Sequence, residues 1–223
     1  MSDPKIIETG DGSHTLYIPE LDESYHSING AITESKHVFI QAGLAHWYSV
    51  HKKTPHILEV GFGTGLNVLL TNIFANDLDI RIRYSSIEKF PLPSSQWQSL
   101  NYGQKLNCIE IYTAIHEAQW NAEYRIGNLN LKKIEEDYLT TELSGEYDII
   151  YYDAFAPSKQ PEMWSYEILE KCVTALNPGG VFVTYSAIGH LKRDLKKLGL
   201  EVETIPGPPG KFHMTRATRV IYS

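Results

Sequence analysis

Apolar residues first recur at Ile6 and Ile7 and again at Leu16, Tyr17 and Ile18, on either side of Gly10-Asp11-Gly12-Ser13. That pattern predicts a hairpin over residues 5–18. After Pro19 the chain is polar and irregular to Asn29, and from about Ala31 to Val50 the positions Ile32, Val38, Phe39, Leu44, Ala45 and Tyr48 return at roughly helical spacing. From His56 the period alternates. Strands at 56–60 and 81–88 are each followed by a helical pattern, at about 64–76 and 93–101, which implies a parallel sheet with right-handed crossovers. Residues 107–120 read as helical or irregular, 123–127 as a short strand and 131–139 as a helix. Residues 147–153 form a near-continuous apolar strand, as expected where both sheet faces are covered. A helix from Pro161 to about Leu176, a turn at Asn177-Pro178-Gly179-Gly180, a strand at 181–185 and a helix at 189–198 follow. Strands at 200–205 and 216–222, separated by Pro206-Gly207-Pro208-Pro209-Gly210, close the chain. The pattern divides it into an N-terminal hairpin and helix, residues 1–54, packed on an α/β domain of residues 55–223.

The length, 223 residues, suits one such domain with a small addition. No apolar run is long enough to span a bilayer and the first ten residues lack a signal-peptide pattern, so the expectation is a soluble cytoplasmic protein without a membrane partner. Cys108 and Cys172 are isolated, and none of the nine histidines has metal-ligand spacing, so no metal is expected. The formal net charge of −7 argues against a protein that coats nucleic acid, but it divides unevenly. Residues 190–223 carry +4, including Lys192, Arg193, Lys196 and Lys197, and the rest −11. That end could meet phosphates, or those four could simply be the solvated face of a helix.

The strand at 56–60 runs into Gly61, Gly63 and Gly65, a turn in which backbone can approach a ligand closely. Leu66 stands where a dinucleotide fingerprint needs its third glycine, and no Gly-Lys-Ser/Thr follows, so neither a nicotinamide or flavin site nor a phosphate-cradling loop is indicated. The stretch Glu59-Val60-Gly61-Phe62-Gly63-Thr64-Gly65 resembles instead the first motif of class I S-adenosylmethionine-dependent methyltransferases. The strand at 81–88 ends in Glu88, an acid placed where such folds hold ribose hydroxyls. The resemblance implies a Rossmann-like, mostly parallel seven-stranded sheet and S-adenosyl-L-methionine as cofactor. Contacts to it are expected from Glu59, Gly61, Phe62, Gly63, Thr64, Gly65, Asn67, Glu88, Lys89 and Asp153. Asn128, after the strand at 123–127, would add one, since its carbonyl can accept from an adenine amino group where such enzymes commonly have an acid.

Four further motifs narrow the resemblance: Glu88-Lys89-Phe90-Pro91-Leu92, Asp153-Ala154-Phe155-Ala156-Pro157, Pro161-Glu162-Met163-Trp164 and Asn177-Pro178-Gly179-Gly180. With Ser27-Ile28-Asn29-Gly30 and Glu34-Ser35-Lys36-His37-Val38-Phe39, they resemble the tRNA 5-methylaminomethyl-2-thiouridine methyltransferase family over roughly residues 11–215. This implies methyl transfer to the aminomethyl nitrogen on carbon 5 of a wobble uridine, with the tRNA anticodon loop as partner. Bifunctional members carry an oxidase domain as well. This chain shows no second nucleotide fingerprint, so the expectation is the methyltransferase alone, with a separate enzyme supplying the aminomethyl uridine. Asp153 would be the catalytic residue, an acceptor for the attacking amine, and Phe155 a platform for a splayed-out base. Pro157, Ser27, Asn29, Glu34, Lys159 and Lys211 complete the expected substrate side. Asp153 as a helix cap and Phe155 as core packing remain open at this point. So do two other functions, a small-molecule or protein amine methyltransferase and a non-catalytic cofactor-binding protein.

Overall fold

The computed structural model describes residues 4–143 and 146–220. Strands β1 (Lys5–Glu8), β2 (His14–Ile18) and β3 (Glu23–Ser24) form a small antiparallel sheet. Ala31–Ser35, Lys36–Ala45 and His46–His51 make one continuous helix, α1, whose middle segment is π-helical. It lies against the main sheet so closely that a Cβ on Gly43 would come within 3.0 Å of Val183 Cγ1 and 3.2 Å of Tyr151 Cε1. Phe39 packs on Tyr151 with ring centroids 5.2 Å apart.

The main sheet is built from β4 (His56–Val60), β5 (Ile82–Glu88), β6 (Glu123–Ile126), β7 (Leu129–Glu135), β8 (Tyr147–Tyr152), β9 (Leu176–Thr184), β10 (Leu200–Pro206) and β11 (His213–Arg219). Their spatial order is β10-β11-β9-β8-β4-β5-β7-β6, so eight strands stand where seven were expected. The central five run parallel, and antiparallel pairing at both sides adds β11 with β10 and β6. Helices α2 (Leu66–Asp77), α3 (Ser94–Trp97), α4 (Tyr102–Lys105) and α5 (Ile109–Glu117) precede β6, and α6 (Tyr166–Ala175) and α7 (Gly189–Lys197) flank β9. The sheet separates two apolar cores: Ile57, Tyr84 and Tyr151 face α1 and α2, while Leu58, Ile150 and Tyr152 face α6 and α7. Among the described residues no helix is long and apolar enough to cross a membrane.

The structure departs from expectation most at β7, which occupies residues expected to be helical. Leu129, Leu131 and Lys133 are buried and alternate with exposed Asn130 and Lys132, a strand period disguised by a lysine in an inward position. Lys133 is tolerated there because it donates to the His116 carbonyl at 2.7 Å and lies over the rings of Trp120 (4.7 Å) and Phe62 (5.3 Å). The helix expected at 93–101 is only one short turn, Ser94–Trp97. The helix expected from Pro161 is a 3₁₀ turn, Pro161–Trp164, that breaks at Ser165, whose hydroxyl then caps α6 through Ile168 N–H. Asn177 to Gly180 belong to the start of β9, irregular in register against β8. The last expected strand begins earlier, at His213, and residues 221 and 222 lie outside the described residues.

Candidate active site

Strand β4 has β5 on one side and β8 on the other, so the chain departs from it in both directions and leaves a crevice beyond the carboxyl ends. Gly61 N–H donates to Ile87 O (3.0 Å) and Asp153 N–H to Val60 O (3.1 Å), which sets the segments after β4 and β8 side by side. Gly61 has φ 93°, and a Cβ there would lie 2.9 Å from the Asp153 carbonyl oxygen. Only glycine permits that approach. Across the turn, the Glu88 carboxylate accepts from Gly63 N–H (3.0 Å) and Phe90 N–H (2.8 Å). Burial pushes the Glu88 carboxyl up, and these backbone donors act against it.

A cleft of about 1220 Å³ opens above these groups. Asp153 lies at its floor, partly open to it, with Oδ2 accepting from Asn67 Nδ2 at 2.9 Å. Desolvation by the surrounding protein pushes the Asp153 carboxyl up to about 7; the charge of Glu34 adds to this, and Asn67 and Lys211 oppose it. Glu34 is itself buried, taking Lys211 Nζ at 2.6 Å on one oxygen and Ser27 N–H at 2.7 Å on the other. Beneath the glycine turn, Glu59 is wholly buried and accepts from Ser86 Oγ at 2.5 Å. Burial pushes it up to about 8 despite that bond, with the charge of Asp153 adding to the rise.

Of the expected cofactor contacts, Gly61, Phe62, Gly63, Thr64, Asn67, Glu88, Lys89 and Asp153 line the cleft. Gly65 and Glu59 support it from below. Gly65 holds the left-handed position before α2 (φ 72°), where a Cβ would meet His116 Nε2 at 2.9 Å. Of the expected substrate contacts, Ser27, Glu34, Phe155, Lys159 and Lys211 line the cleft, whereas Pro157 and Asn29 do not; the Asn29 side chain bonds Ser27 Oγ at 3.3 Å instead.

Asn128 requires a correction. It occupies the turn between β6 and β7, its N–H on Asn76 Oδ1 at 3.1 Å near the end of α2, so it stands at the amino end of β7, the opposite end of the parallel strands from the cleft. Because β7 is a strand, the residues leaving its carboxyl end are Glu136 and Asp137, both in the cleft wall, and Asp137 pairs with Lys89 at 2.8 Å. The acidic run at 135–137 was the available signal.

Sequence reasoning also missed Tyr25. Its ring covers the turn so closely that a Cβ on Gly63 would be 3.1 Å from Tyr25 Cδ1, and it meets Phe155 edge-on with centroids 5.2 Å apart. Tyr185 donates to Ala154 O (2.9 Å) and lies 4.0 Å from Lys211 Nζ, while Trp164 Nε1 donates to Phe155 O at 2.8 Å and fixes the loop after β8. Among the basic residues of the C-terminal segment, Arg216 is paired with Glu203 and Arg219 bonds the carbonyls ending α6.

Residues 103–220 match the model of a family described as S-adenosyl-L-methionine-dependent methyltransferase. The chain belongs to this family. The site fits the family's cofactor: a cleft of about 1220 Å³ lined by the glycine turn, beside a carboxylate held at the end of β5. The chain is similar to the tRNA 5-methylaminomethyl-2-thiouridine biosynthesis bifunctional protein MnmC of Pseudomonas putida (strain GB-1), 31% identical over 213 residues, which are 87% of this chain and 32% of that protein. The protein of the same name from Cupriavidus necator (strain H16) is 31% identical over 91% of this chain and 32% of its own length. The chain thus spans about a third of the curated relatives it matches. Among solved structures it resembles MNMC2 from Aquifex aeolicus, 27% identical with a TM-score of 0.81, covering 100% of this chain and 73% of that one. Spermidine synthase from Thermotoga maritima shares the fold at 12% identity and a TM-score of 0.56, covering 93% and 68%.

Proposed function

We propose that this methyltransferase N-methylates the 5-aminomethyl group of a wobble (2-thio)uridine in tRNA, giving the 5-methylaminomethyl form. The observation that carries the reading is Asp153, a carboxyl on the cleft floor held by Asn67 beside the glycine turn, in a cleft that Phe155 also lines. Similarity to the MnmC-named proteins over most of the chain supports the choice of tRNA, with the anticodon loop as the part presented. On this reading a separate enzyme supplies the aminomethyl uridine, and the work is done in the cytoplasm.

S-adenosyl-L-methionine supplies an electrophilic methyl group. The turn at Gly61–Gly63, Asn67, Glu88, and Asp137 with Lys89 would hold it, since all of them line the cleft. An aliphatic amine has a pKa of about 10.4, so it arrives mostly as ammonium and must lose a proton before its lone pair can attack. An ordinary aspartate, at about 3.9, would be a weak acceptor for that proton. Raised to about 7, Asp153 is a far better matched base. Asn67 fixes one carboxyl oxygen and leaves the other for the amine. Tyr25 and Phe155 enclose the transfer point, and Phe155 stacks on the uracil ring.

The test is the single-turnover rate against pH. The wild-type rate should rise with pH as Asp153 ionises, at a value no higher than about 7, since the positive sulfonium of the bound cofactor favours the carboxylate. Asp153→Asn should lose at least about 100-fold, the scale of general-base catalysis, while binding the cofactor as before. A variant that transfers methyl at the wild-type rate would leave Asp153 without a role in catalysis.

A further inference from the structure

Two loops meet at one rim of the cleft. The turn between β10 and β11 is closed by Lys211 N–H on Pro208 O (2.9 Å) and Gly207 N–H on Phe212 O (3.1 Å). It sits directly on the segment before α1: a Cβ on Gly210 would be 2.0 Å from Asn29 Nδ2, and Lys211 joins Glu34 and, through it, Ser27. Gly10 N–H holds the Ile28 carbonyl at 2.8 Å. On these tethered loops Phe212 is 93% exposed and Ile28 63%. Neither side chain belongs to a core. The nearest cations placed by a contact are on α7: Lys192 Nζ bonds Thr204 Oγ1 (3.3 Å), which ties that helix, with exposed Arg193, to the part of β10 that leads into the turn.

We infer that this ledge is an RNA-docking surface on which a nucleotide adjoining the methylated one stacks against Phe212 and packs on Ile28, with its phosphate toward Lys192 and Arg193. The inference rests on the tRNA reading above. A nucleotide turned into the cleft abandons its neighbours, and their uncovered faces require new partners. An exposed aromatic ring on a fixed loop supplies one for any base, and apolar contact beside flanking cations matches the alternation of base and phosphate along a single strand.

The experiment compares Phe212→Ala, Phe212→Trp and, as a control, Val50→Ser, a change at another exposed apolar residue outside the cleft lining (67% exposed). With tRNA bearing the aminomethyl group as substrate, Phe212→Ala should raise KM for tRNA about 5-fold or more, the scale of one lost base stack, without altering turnover at saturating tRNA or cofactor affinity. Phe212→Trp should restore KM and show tRNA-dependent quenching of the added fluorescence, and Val50→Ser should behave as wild type. If wild type methylates tRNA and Phe212→Ala has the same KM, or the tryptophan ignores tRNA, the ledge is not an RNA surface and the proposal falls alone. If wild type methylates no tRNA, both proposals fall.

Discussion

Glu59 and Asp153 stand one layer apart at the ends of adjacent parallel strands, Glu59 wholly buried and Asp153 open to the cleft. The sequence marks both as acids at strand ends, but the burial that raises Asp153 to about 7 and Glu59 to about 8 comes from residues remote in the chain. Native Glu59 keeps its proton where the unfolded chain, with a value of 4.5, has lost it, so its contribution to stability falls as pH rises from about 4.5 to about 8. Glu59→Gln, a permanently neutral isostere, escapes this loss. Urea unfolding at a series of pH values should show the variant gaining on wild type across that window, by a few kcal/mol in all, and no further above it. A difference independent of pH would mean that Glu59 is charged in the fold. Gly63 carries a related lesson: the sequence shows a glycine that clears space for a ligand, whereas the space a Cβ would enter holds Tyr25.

At the scale of elements, legibility followed the regularity of apolar runs. β4, β5 and β8 end where such runs stop, so Gly61, Glu88 and Asp153 were correctly placed at one end of the sheet. β7 was not legible because Lys133 interrupts its apolar alternation, and with a helix expected there Asn128 stood at a strand end and Asp137 did not. The topology separates the two residues by a measurable effect. In calorimetry Asn128→Ala should bind S-adenosyl-L-methionine like wild type, and Asp137→Ala should bind it about 1 kcal/mol more weakly, the scale of one hydrogen bond. The reverse pattern would contradict the strand assignment of residues 129–135.

For the whole molecule, the cleft is assembled from both ends of the chain. Residues before β4 supply Tyr25 and Glu34, and Lys211 reaches Glu34 across 177 positions of sequence. No local pattern announces a contact of that span: Glu34 and Lys211 were each expected on the substrate side, with nothing in the sequence to pair them. The charge asymmetry was likewise only partly informative, because Arg216 is paired with Glu203 and Arg219 bonds backbone carbonyls, while Lys192 bonds the Thr204 hydroxyl and Arg193 is exposed. The proposed methyl acceptor is of one kind, an aminomethyl nitrogen presented by tRNA. The direct test is to incubate the purified protein and S-adenosyl-L-methionine with tRNA isolated from cells lacking it and to identify the nucleosides by mass spectrometry. Conversion of 5-aminomethyl to 5-methylaminomethyl (2-thio)uridine, abolished by Asp153→Asn, is the expected result. An unchanged nucleoside profile, with methylation of a free polyamine or a protein amine instead, would contradict it.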